Sequence, residues 1–371
     1  MSDTLRRTPL FESHLALSAR MVEFGGWEMP VQYSGVVKEH LNVREKVGIF
    51  DVSHMGQISV RGKESAQCLN YLLSNDVSKL TPGRAHYSVL LTEEGTPVDD
   101  LIVYKMGEED FLLCVNASNI EKDFSWINDH NKFDVKVVNE SNDYALIAVQ
   151  GPCATALCQA MLKVSLDQLQ MFSHEPLTAK IDDKQLTGFI ARTGYTGENG
   201  YELFIPSQQA TLVWDALLKE GEQFGVLPIG LGARDSLRLE AALCLYGHEL
   251  RPDIDILSAG LGWVTKFNKS DFIGRDALKH ISEEGPKLKL VGLELIEPGI
   301  ARENSKVTDI TGKEVGFVTS GTKTPTIGKS IALAYVEASE LDNLNQGLAC
   351  IVRDKPIKAK LVSIPFYKRS K

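Results

Sequence analysis

RTGYTGENGYE, residues 192–202, is the most informative segment of this 371-residue chain. It places three glycines, two tyrosines, two carboxylates and an arginine directly after a short apolar run, residues 186–191. Three glycines cost chain entropy, so we expect unusual backbone dihedrals there or close approach to another group. Tyrosines between glycines supply flat faces with polar tips, which suit an aromatic, heterocyclic ligand. A β-hairpin with an irregular loop explains the same residues, and the segment alone leaves both interpretations open.

Length and composition describe a globular chain of more than one domain. Apolar residues make up 43% and charged residues 24% of the sequence, as in ordinary globular proteins. No apolar run approaches the roughly 18 residues that a membrane helix needs, and the length favours two or three domains. The net charge of −9 argues against a general nucleic-acid binder. We therefore expect neither a nucleic-acid nor a membrane partner.

The C-terminal part of the chain has the opposite charge balance. Residues 286–371 contain 14 Lys/Arg and 9 Asp/Glu, a local charge of +5 that leaves −14 on the rest. This asymmetry is compatible with a basic surface for an acidic partner or an anionic substrate, and equally with chance.

Cysteine and histidine usage points to a reduced compartment without a metal site. The six cysteines form no CxxC pair, and the eight histidines lack metal-ligand spacing. Residues 1–8 have no apolar core behind their arginines, which argues against a secretory signal. The chain also lacks a P-loop, a GxSxG elbow and an HExxH motif. We expect a cytoplasmic protein that binds no metal.

Hydrophobic periodicity predicts both helices and strands in the first three quarters of the chain, including a meander of strands at residues 87–92, 101–106 and 111–116, and almost only strands beyond. Helices are expected at residues 13–22, after the capping box 118–121 as far as residue 130, and from about 233 to 244. The sequence EEGP, residues 283–286, is the best domain boundary. Beyond it, short strands at residues 288–295, 314–320, 331–337, 349–353 and 357–364 predict a small barrel or sandwich.

Asp99 and Asp100 stand at the start of an apolar strand, residues 101–104. Side chains alternate along a strand, so these two carboxylates should point to opposite faces. An aspartate that faces a cavity with apolar walls would suit proton transfer or stabilisation of a cation. A simple pair of polar residues at the strand entry is the alternative.

Two further polar positions are candidates. Arg234, in GLGARD (residues 230–235), is expected near the start of a helix, where the dipole disfavours a cation unless it has a partner. A bidentate carboxylate clamp is one explanation, and an ion pair with Asp235 or Glu240 is the other. His54, in DVSHMG, lies in a conspicuous polar cluster, and a hydrogen-bonded structural role is favoured for it.

Taken together, these segments resemble the aminomethyltransferase (T protein) family of the glycine cleavage system. The matching landmarks follow one another along almost the whole chain: TPLF (8–11), FGGWEMP (24–30), FDVSHMG (50–56), VDDLIVY (98–104), VNASN (115–119), RTGYTGE (192–198), GLGARD (230–235), GKSIA (328–332) and PFY (365–367). The sequence departs from the family at Gly95-Thr96-Pro97, where the family usually has paired glycines. This difference affects the turn before Asp99 and should not affect the strand that follows.

The resemblance implies an α+β fold of three domains, a cloverleaf around a central folate cavity. Two interleaved α+β domains would comprise residues 1–54 with 148–176 and 231–283, and residues 55–147 with 177–230. A C-terminal domain, residues 284–371, would be a β-barrel or jelly-roll-like unit.

The resemblance also implies the reaction and its residues. An aminomethyl group on the dihydrolipoyl arm of the H protein loses ammonia, and its carbon passes to tetrahydrofolate as 5,10-methylenetetrahydrofolate. Asp100 would be the catalytic carboxylate, and the folate contacts would be Tyr87, Asn116, Tyr195, Glu202, Arg234 and Tyr367. The lipoylated H protein would be the partner, tetrahydrofolate the co-substrate, and no metal would take part.

Two alternatives remain at this point. A related folate-dependent demethylase shares the resemblance, although such enzymes usually carry a flavin domain and this chain has no flavin fingerprint. A non-catalytic folate-binding relative would carry a Lys-Gly-Cys-Tyr type motif, and Arg192-Thr-Gly-Tyr195 lacks the cysteine.

Overall fold

The computed structural model describes residues 5–369. Residues 1–4, part of the segment used above against a secretory signal, and residues 370–371 lie outside it. The chain divides into two compact units. The first contains the described residues up to Leu69 together with Val77–Tyr87 and Leu101–Asp235. The second contains Asn70–Asp76, Ser88–Asp100 and the described residues from Ser236 onward.

Helices and strands alternate over most of the described chain. The α-helices within residues 5–369 are α1 Phe11–Ala16, α2 Val36–Glu45, α3 Ser65–Leu72, α4 Ile120–Asp129, α5 Ala154–Leu162, α6 Ala210–Gly221, α7 Leu231–Glu240, α8 Arg275–Glu284 and α9 Leu341–Leu344. The strands are β1 Arg20–Phe24, β2 Trp27–Gln32, β3 Val47–Asp51, β4 Gly56–Arg61, β5 Ala85–Leu91, β6 Pro97–Gly107, β7 Asp110–Val115, β8 Lys136–Asn139, β9 Tyr144–Gln150, β10 His174–Pro176, β11 Ala179–Ile181, β12 Lys184–Leu186, β13 Phe189–Ala191, β14 Gly200–Pro206, β15 Val226–Pro228, β16 Leu288–Leu295, β17 Lys306–Asp309, β18 Glu314–Lys323, β19 Ser330–Glu337, β20 Leu348–Val352 and β21 Lys355–Val362.

A six-stranded sheet forms the centre of the first unit, in the order β10-β13-β14-β9-β3-β15. Only the β3–β15 pair is parallel. Helices α5 and α6 cover one face with side chains at helical spacing, including Leu157 and Met161 on α5 and Trp214 and Leu217 on α6. Each such side chain contributes roughly 1.5–3 kcal/mol when it is buried. This packed sheet holds β13 and β14 rigidly on either side of the glycine-rich segment.

A second sheet has the order β5-β6-β7-β4-β8. Strand β5 leaves the first unit after Tyr87, and β6 returns to it at Leu101. Asp99 and Asp100 therefore belong to the second unit, although they stand on the same strand as Tyr104.

The C-terminal strands close into a barrel in the order β16-β19-β18-β17-β20-β21. Small and branched side chains fill its interior, among them Leu293, Val307, Val318 and Ala334. Of the two architectures predicted from the sequence, the barrel is confirmed. Strand β17 was not predicted, because its four residues show little apolar alternation.

One predicted helix is wrong in its second half. The expected helix at residues 13–22 ends at Ala16, and Ser18 has a positive φ of 56°. From Arg20 the chain pairs as β1 with β2 around the turn at Gly25 and Gly26. The division into three domains stays a prediction.

Candidate functional site

Each glycine of residues 192–202 has a structural cause. A Cβ atom on Gly194 or on Gly200 would overlap the side chain of Gln150. Gly197 has a φ of +79°, a conformation that side-chain-bearing residues rarely adopt. The segment therefore needs both close approach and an unusual dihedral, and the group that it approaches is a side chain of the protein itself.

Gln150 and Arg44 anchor this segment from beneath. Gln150 Nε2 donates to the carbonyl of Thr193 (3.2 Å), and Thr196 Oγ1 donates to Gln150 Oε1 (2.9 Å). Arg44 donates to the carbonyl of Thr196 (2.7 Å) and pairs with Glu198 (2.8 Å), where both side chains are buried. A buried charged pair that is also hydrogen-bonded is costly to break, so the loop is preorganised.

Glu202 is a buried carboxylate at the centre of the six-stranded sheet. It lies on β14, pairs with Ala191 on β13 and Ala148 on β9, and is 9% exposed. Burial raises its pKa, while the hydrogen bond from Thr193 Oγ1 and the charge of Arg234 act in the opposite direction. A carboxylate in this setting is a strong acceptor for a ligand that brings N–H donors.

Arg234 lies in the first turn of α7, where two glycines allow the helix to approach its neighbours. A Cβ on Gly230 would overlap the carbonyl of Val31, and one on Gly232 would come within 2.7 Å of Val36 Cγ2. The spacing GLG thus serves packing.

The structure brings Arg234, Tyr195 and Glu202 together. The guanidinium carbon of Arg234 lies 4.7 Å from the centre of the Tyr195 ring, a cation–π contact. Burial raises the pKa of Glu202, and the positive charge of Arg234 limits that rise. Three of the predicted folate contacts, from segments up to 39 positions apart, therefore form one cluster in the first unit.

His54 lies beside this cluster and is 2% exposed. Its ring meets that of Phe24 edge-on, with centroids 5.8 Å apart, and its Nδ1 has no hydrogen-bond partner among residues 5–369. The sequence favoured a hydrogen-bonded role, but the described contact is aromatic. Burial and the charge of Arg234 lower the pKa of His54 to about 4, so the imidazole is neutral at pH 7.

We expect His54 to make the protein less stable in mild acid. The unfolded histidine binds a proton near pH 6.5, whereas the folded one does so only near 4; stability therefore falls as the pH drops through this window, by about 3 kcal/mol. Thermal unfolding from pH 7.5 to 4 should show a shallower decline for His54→Gln. His280→Gln, which changes an exposed histidine, is the control, and an unchanged slope for His54→Gln would contradict the assignment.

A second buried polar network was not anticipated from the sequence. Asp51 accepts hydrogen bonds from Thr8 (2.6 Å) and the backbone of Ser53 (2.9 Å), and lies 2.9 Å from His14 Nε2. Tyr33 OH lies 2.9 Å from the other ring nitrogen of His14. Burial opposes ionisation, but His14, Ser53 and Thr8 together lower the pKa of Asp51. The network fastens α1 and β2 to the end of β3.

Asp100 and Asp99 behave as their alternation predicts. Asp99 is fully buried, whereas Asp100 is partly exposed on the other face of β6. Within the second unit, burial raises the pKa of the Cys244 thiol, and the negative charges of Glu249 and Asp100 add to that rise. The turn before β6 is closed by Thr92 and Thr96, whose hydroxyls lie 2.8 Å apart, so the departure from the family's paired glycines leaves the strand intact.

The remaining predicted folate contacts are Tyr87, Asn116 and Tyr367. Tyr87 on β5 and Asn116 after β7 are half-buried in the first unit. Tyr367 belongs to the second unit, where its backbone N–H donates to the carbonyl of Glu240 (2.8 Å). Glu240 Oε1 also accepts from the backbone of Thr326 (3.1 Å), so the C-terminal tail is held in a fixed place.

Neither a metal cluster nor a membrane helix is found in the described chain. Among residues 5–369, no three His, Cys, Asp or Glu side chains are placed to hold a metal ion. In the same range, no helix is both long and apolar enough to cross a membrane.

Comparison with known proteins assigns the chain to a family. Residues 10–269 match the GCVT N-terminal domain, and residues 289–368 match the glycine cleavage T-protein C-terminal barrel domain. The chain belongs to the glycine cleavage T-protein family. This confirms the resemblance that the sequence motifs predicted.

Relatives of the T-protein family match from end to end. The aminomethyltransferase of Anoxybacillus flavithermus is 46% identical over 368 residues, 99% of this chain and all of that protein. That of Bacillus subtilis strain 168 is 46% identical over 369 residues, 98% of this chain and all of that protein. The crystal structure of the glycine cleavage system aminomethyltransferase T from Bartonella henselae superposes with a TM-score of 0.90 at 34% identity and covers 98% of this chain and 99% of that one. The α+β class and the C-terminal barrel are thereby confirmed.

Proposed function

We propose that this chain is the aminomethyltransferase of a glycine cleavage system. The observation that carries the proposal is the 46% identity to aminomethyltransferases over 99% of this chain and 100% of the relative. In the reaction, the aminomethyl carbon loses its bonds to nitrogen and to sulfur and forms bonds to N5 and N10 of tetrahydrofolate. The two N–H protons of the folate leave with ammonia and with the lipoyl thiol, so atoms and charge balance.

The Arg234 cluster supports a folate site. The buried carboxylate of Glu202, in its ionised form, would suit the N–H donor edge of a pterin, and the flat pair of Tyr195 and Arg234 suits its ring and its carboxylates. We assign Asp100 to the reacting carbon, where a carboxylate would stabilise an iminium-like cation by electrostatics, without a covalent enzyme intermediate. The further folate contacts that we assign by family resemblance are Tyr87, Asn116 and Tyr367.

A direct assay tests the function. Purified protein, aminomethyl-loaded H protein and tetrahydrofolate should together release ammonia and form methylenetetrahydrofolate. Neither product should appear when tetrahydrofolate is left out. Binding of tetrahydrofolate without turnover would instead favour a non-catalytic relative, and turnover of a methylated amine would favour a demethylase.

A cytoplasmic location, which we also propose, rests on the cysteine usage of the sequence.

A basic groove on the barrel supports a docking surface for the H protein. This barrel groove has a volume of about 1150 Å³. Six cationic side chains and only two carboxylates line it: Arg302, Lys323, Lys329, Arg353, Lys355, Lys360, Glu294 and Glu297. Its net charge of +4 contrasts with −9 for the whole chain, and Ile296, 61% exposed, offers an apolar contact. An acidic protein surface is the complementary occupant.

We expect charge reversal in the barrel groove to weaken the H-protein interaction. Lys323→Glu combined with Lys355→Glu should raise KM for H protein at least about tenfold at low salt and flatten its salt dependence, because rim charges steer encounter. The kcat at saturating H protein should stay unchanged. Lys358→Glu, an exposed lysine of the same barrel outside the groove lining, is the control. Unchanged KM and salt dependence would remove the docking assignment while leaving the activity in place.

A further inference from the structure

Two hydroxyl groups, those of Tyr104 on β6 and of Thr193, form a chain of hydrogen bonds to Glu202. Thr193 Oγ1 donates to Glu202 Oε2, and Tyr104 OH lies 3.1 Å from Thr193 Oγ1. All three side chains are buried: Tyr104 is 0%, Thr193 3% and Glu202 9% exposed. Hydrogen bonds in such a setting are stronger than in water and polarise one another.

The direction of this chain follows from the number of protons. A threonine hydroxyl has one proton, and Thr193 gives it to Glu202. Tyr104 must therefore be the donor to Thr193. An ionised carboxylate only accepts, so the whole chain requires that Glu202 carry its charge.

Packing restrains the orientation of the Tyr104 side chain. Its ring packs against those of His174, Phe189 and Phe204, with centroids 5.2–5.7 Å apart. Thr193 is equally fixed, because Gln150 holds its carbonyl (3.2 Å). Thr193 thus delivers a hydrogen bond to one oxygen of Glu202, and Tyr104 acts on the same carboxylate both through Thr193 and directly.

We propose that Tyr104 and Thr193 are positioning residues that keep Glu202 an oriented, ionised acceptor, and thereby select a co-substrate that presents N–H donors to it. A carboxylate has about four acceptor positions, and Thr193 fills one. We assign the positions that Thr193 and Tyr104 leave to a ligand such as the amino and amide N–H groups of a reduced pterin. The inference rests on the proposed function, which makes Glu202 a folate contact.

The surroundings of Glu202 show why its charge needs hydrogen-bond donors from Thr193 and Tyr104. Burial raises the pKa of Glu202, and Thr193, Arg234 and Tyr104 oppose that rise, in this order of size. The strands on either side contribute only Ala191 and Ala148 at the paired positions. Arg234 from α7 and Tyr104 from β6 are thus the charged and titratable groups that act on Glu202. Without the Thr193 donor, the pKa of Glu202 rises further.

The dissociation constant of tetrahydrofolate, measured from pH 5 to 8 by calorimetry, tests the inference. Binding of an N–H donor needs the ionised carboxylate, so the affinity for tetrahydrofolate falls as the pH drops through the pKa of Glu202. We call this fall in affinity at low pH the acid limb of the profile. Thr193→Val should weaken binding about tenfold at neutral pH, the effect of losing one charged hydrogen bond, and should move this acid limb to higher pH. Thr193→Ser should restore both, and Tyr104→Phe should give a smaller shift in the same direction.

Thr196→Val is the matched control. Thr196 is buried in the same loop and donates to Gln150, so its loss perturbs the loop without touching Glu202. It should leave the acid limb in place. A wild-type acid limb for Thr193→Val, or a failure of Thr193→Ser to restore it, would overturn the inference.

Glu202→Gln separates this inference from the proposed function. Weak binding by Glu202→Gln together with wild-type binding by Thr193→Val would overturn the positioning role alone. Wild-type binding by Glu202→Gln would overturn both the folate contact and the inference. Thermal unfolding of each variant confirms that the measurements compare folded proteins.

Discussion

Replacing Asp100 with Asn should lower kcat about 100- to 1,000-fold, the usual effect of removing one preorganised electrostatic group from an active site. Asparagine has nearly the same size but no charge, so it cannot stabilise a cation on the reacting carbon. Asp100 is partly exposed, and we therefore expect the fold and most of the tetrahydrofolate affinity to persist. The measurement is the release of ammonia from aminomethyl-loaded H protein, with kcat and the KM for folate determined separately.

The choice of control for Asp100 depends on burial. From the sequence, Asp99 is the natural internal control, and Asp99→Asn should matter much less to the chemistry. Asp99 is, however, fully buried, so its replacement also tests folding. Glu94→Gln is the better match, because Glu94 is an exposed carboxylate in the turn of the same hairpin. A near-normal kcat for Asp100→Asn would contradict the catalytic role assigned to Asp100.

The barrel shows how much of this fold was predictable from local sequence. Strand β16 begins and ends where the alternation predicts, at residues 288 and 295, and α8 ends at Glu284, inside the predicted boundary. Here local pattern and tertiary packing agree. At the N-terminus they conflict: residues 17–22 have helical spacing, but pairing of β1 with β2 overrides it. At α4 the predicted helix is present, but the capping box predicted at residues 118–121 is wrong, because a 3-10 turn at Ala117–Asn119 precedes the helix and its N-cap, Asn119, makes no side-chain capping hydrogen bond.

Residue types in the candidate site were predictable, but their partners were not. Glycine, tyrosine and carboxylate in one short segment indicated a ligand site, yet nothing local links Arg234 with Tyr195 or Gln150 with Gly194. The network of Asp51, His14 and Tyr33 joins positions 19 and 37 residues apart, and its members look ordinary in the sequence. Such pairs are set by tertiary packing, which a single sequence does not reveal.

The second large effect should come from the ion pair between Arg238 and Glu249 in the second unit. Arg238 Nη1 lies 2.7 Å from Glu249, and both side chains are at most 2% exposed. Thr319 Oγ1 also donates to Glu249 (2.6 Å), and Ser320 accepts from Arg238 (2.8 Å). The pair thus fastens the end of α7 to strand β18 of the barrel.

We expect Arg238→Met to lower the free energy of unfolding by about 3–5 kcal/mol, because it leaves Glu249 charged, buried and without its cation. Guanidinium unfolding measures the loss. Lys306→Met, which removes an exposed ion pair of the same barrel, should leave the unfolding midpoint unchanged.

A double variant identifies the cause of that loss. Adding Glu249→Leu to Arg238→Met removes the stranded charge, and Thr319 Oγ1 keeps an acceptor in the carbonyl of Leu333 (3.1 Å). The double variant should therefore recover most of the stability, since apolar groups often replace a buried ion pair without loss. The double variant no longer contains the unpaired carboxylate. If it is still as unstable as Arg238→Met alone, the instability comes from the lost packing of Arg238 and from its lost hydrogen bond to Ser320.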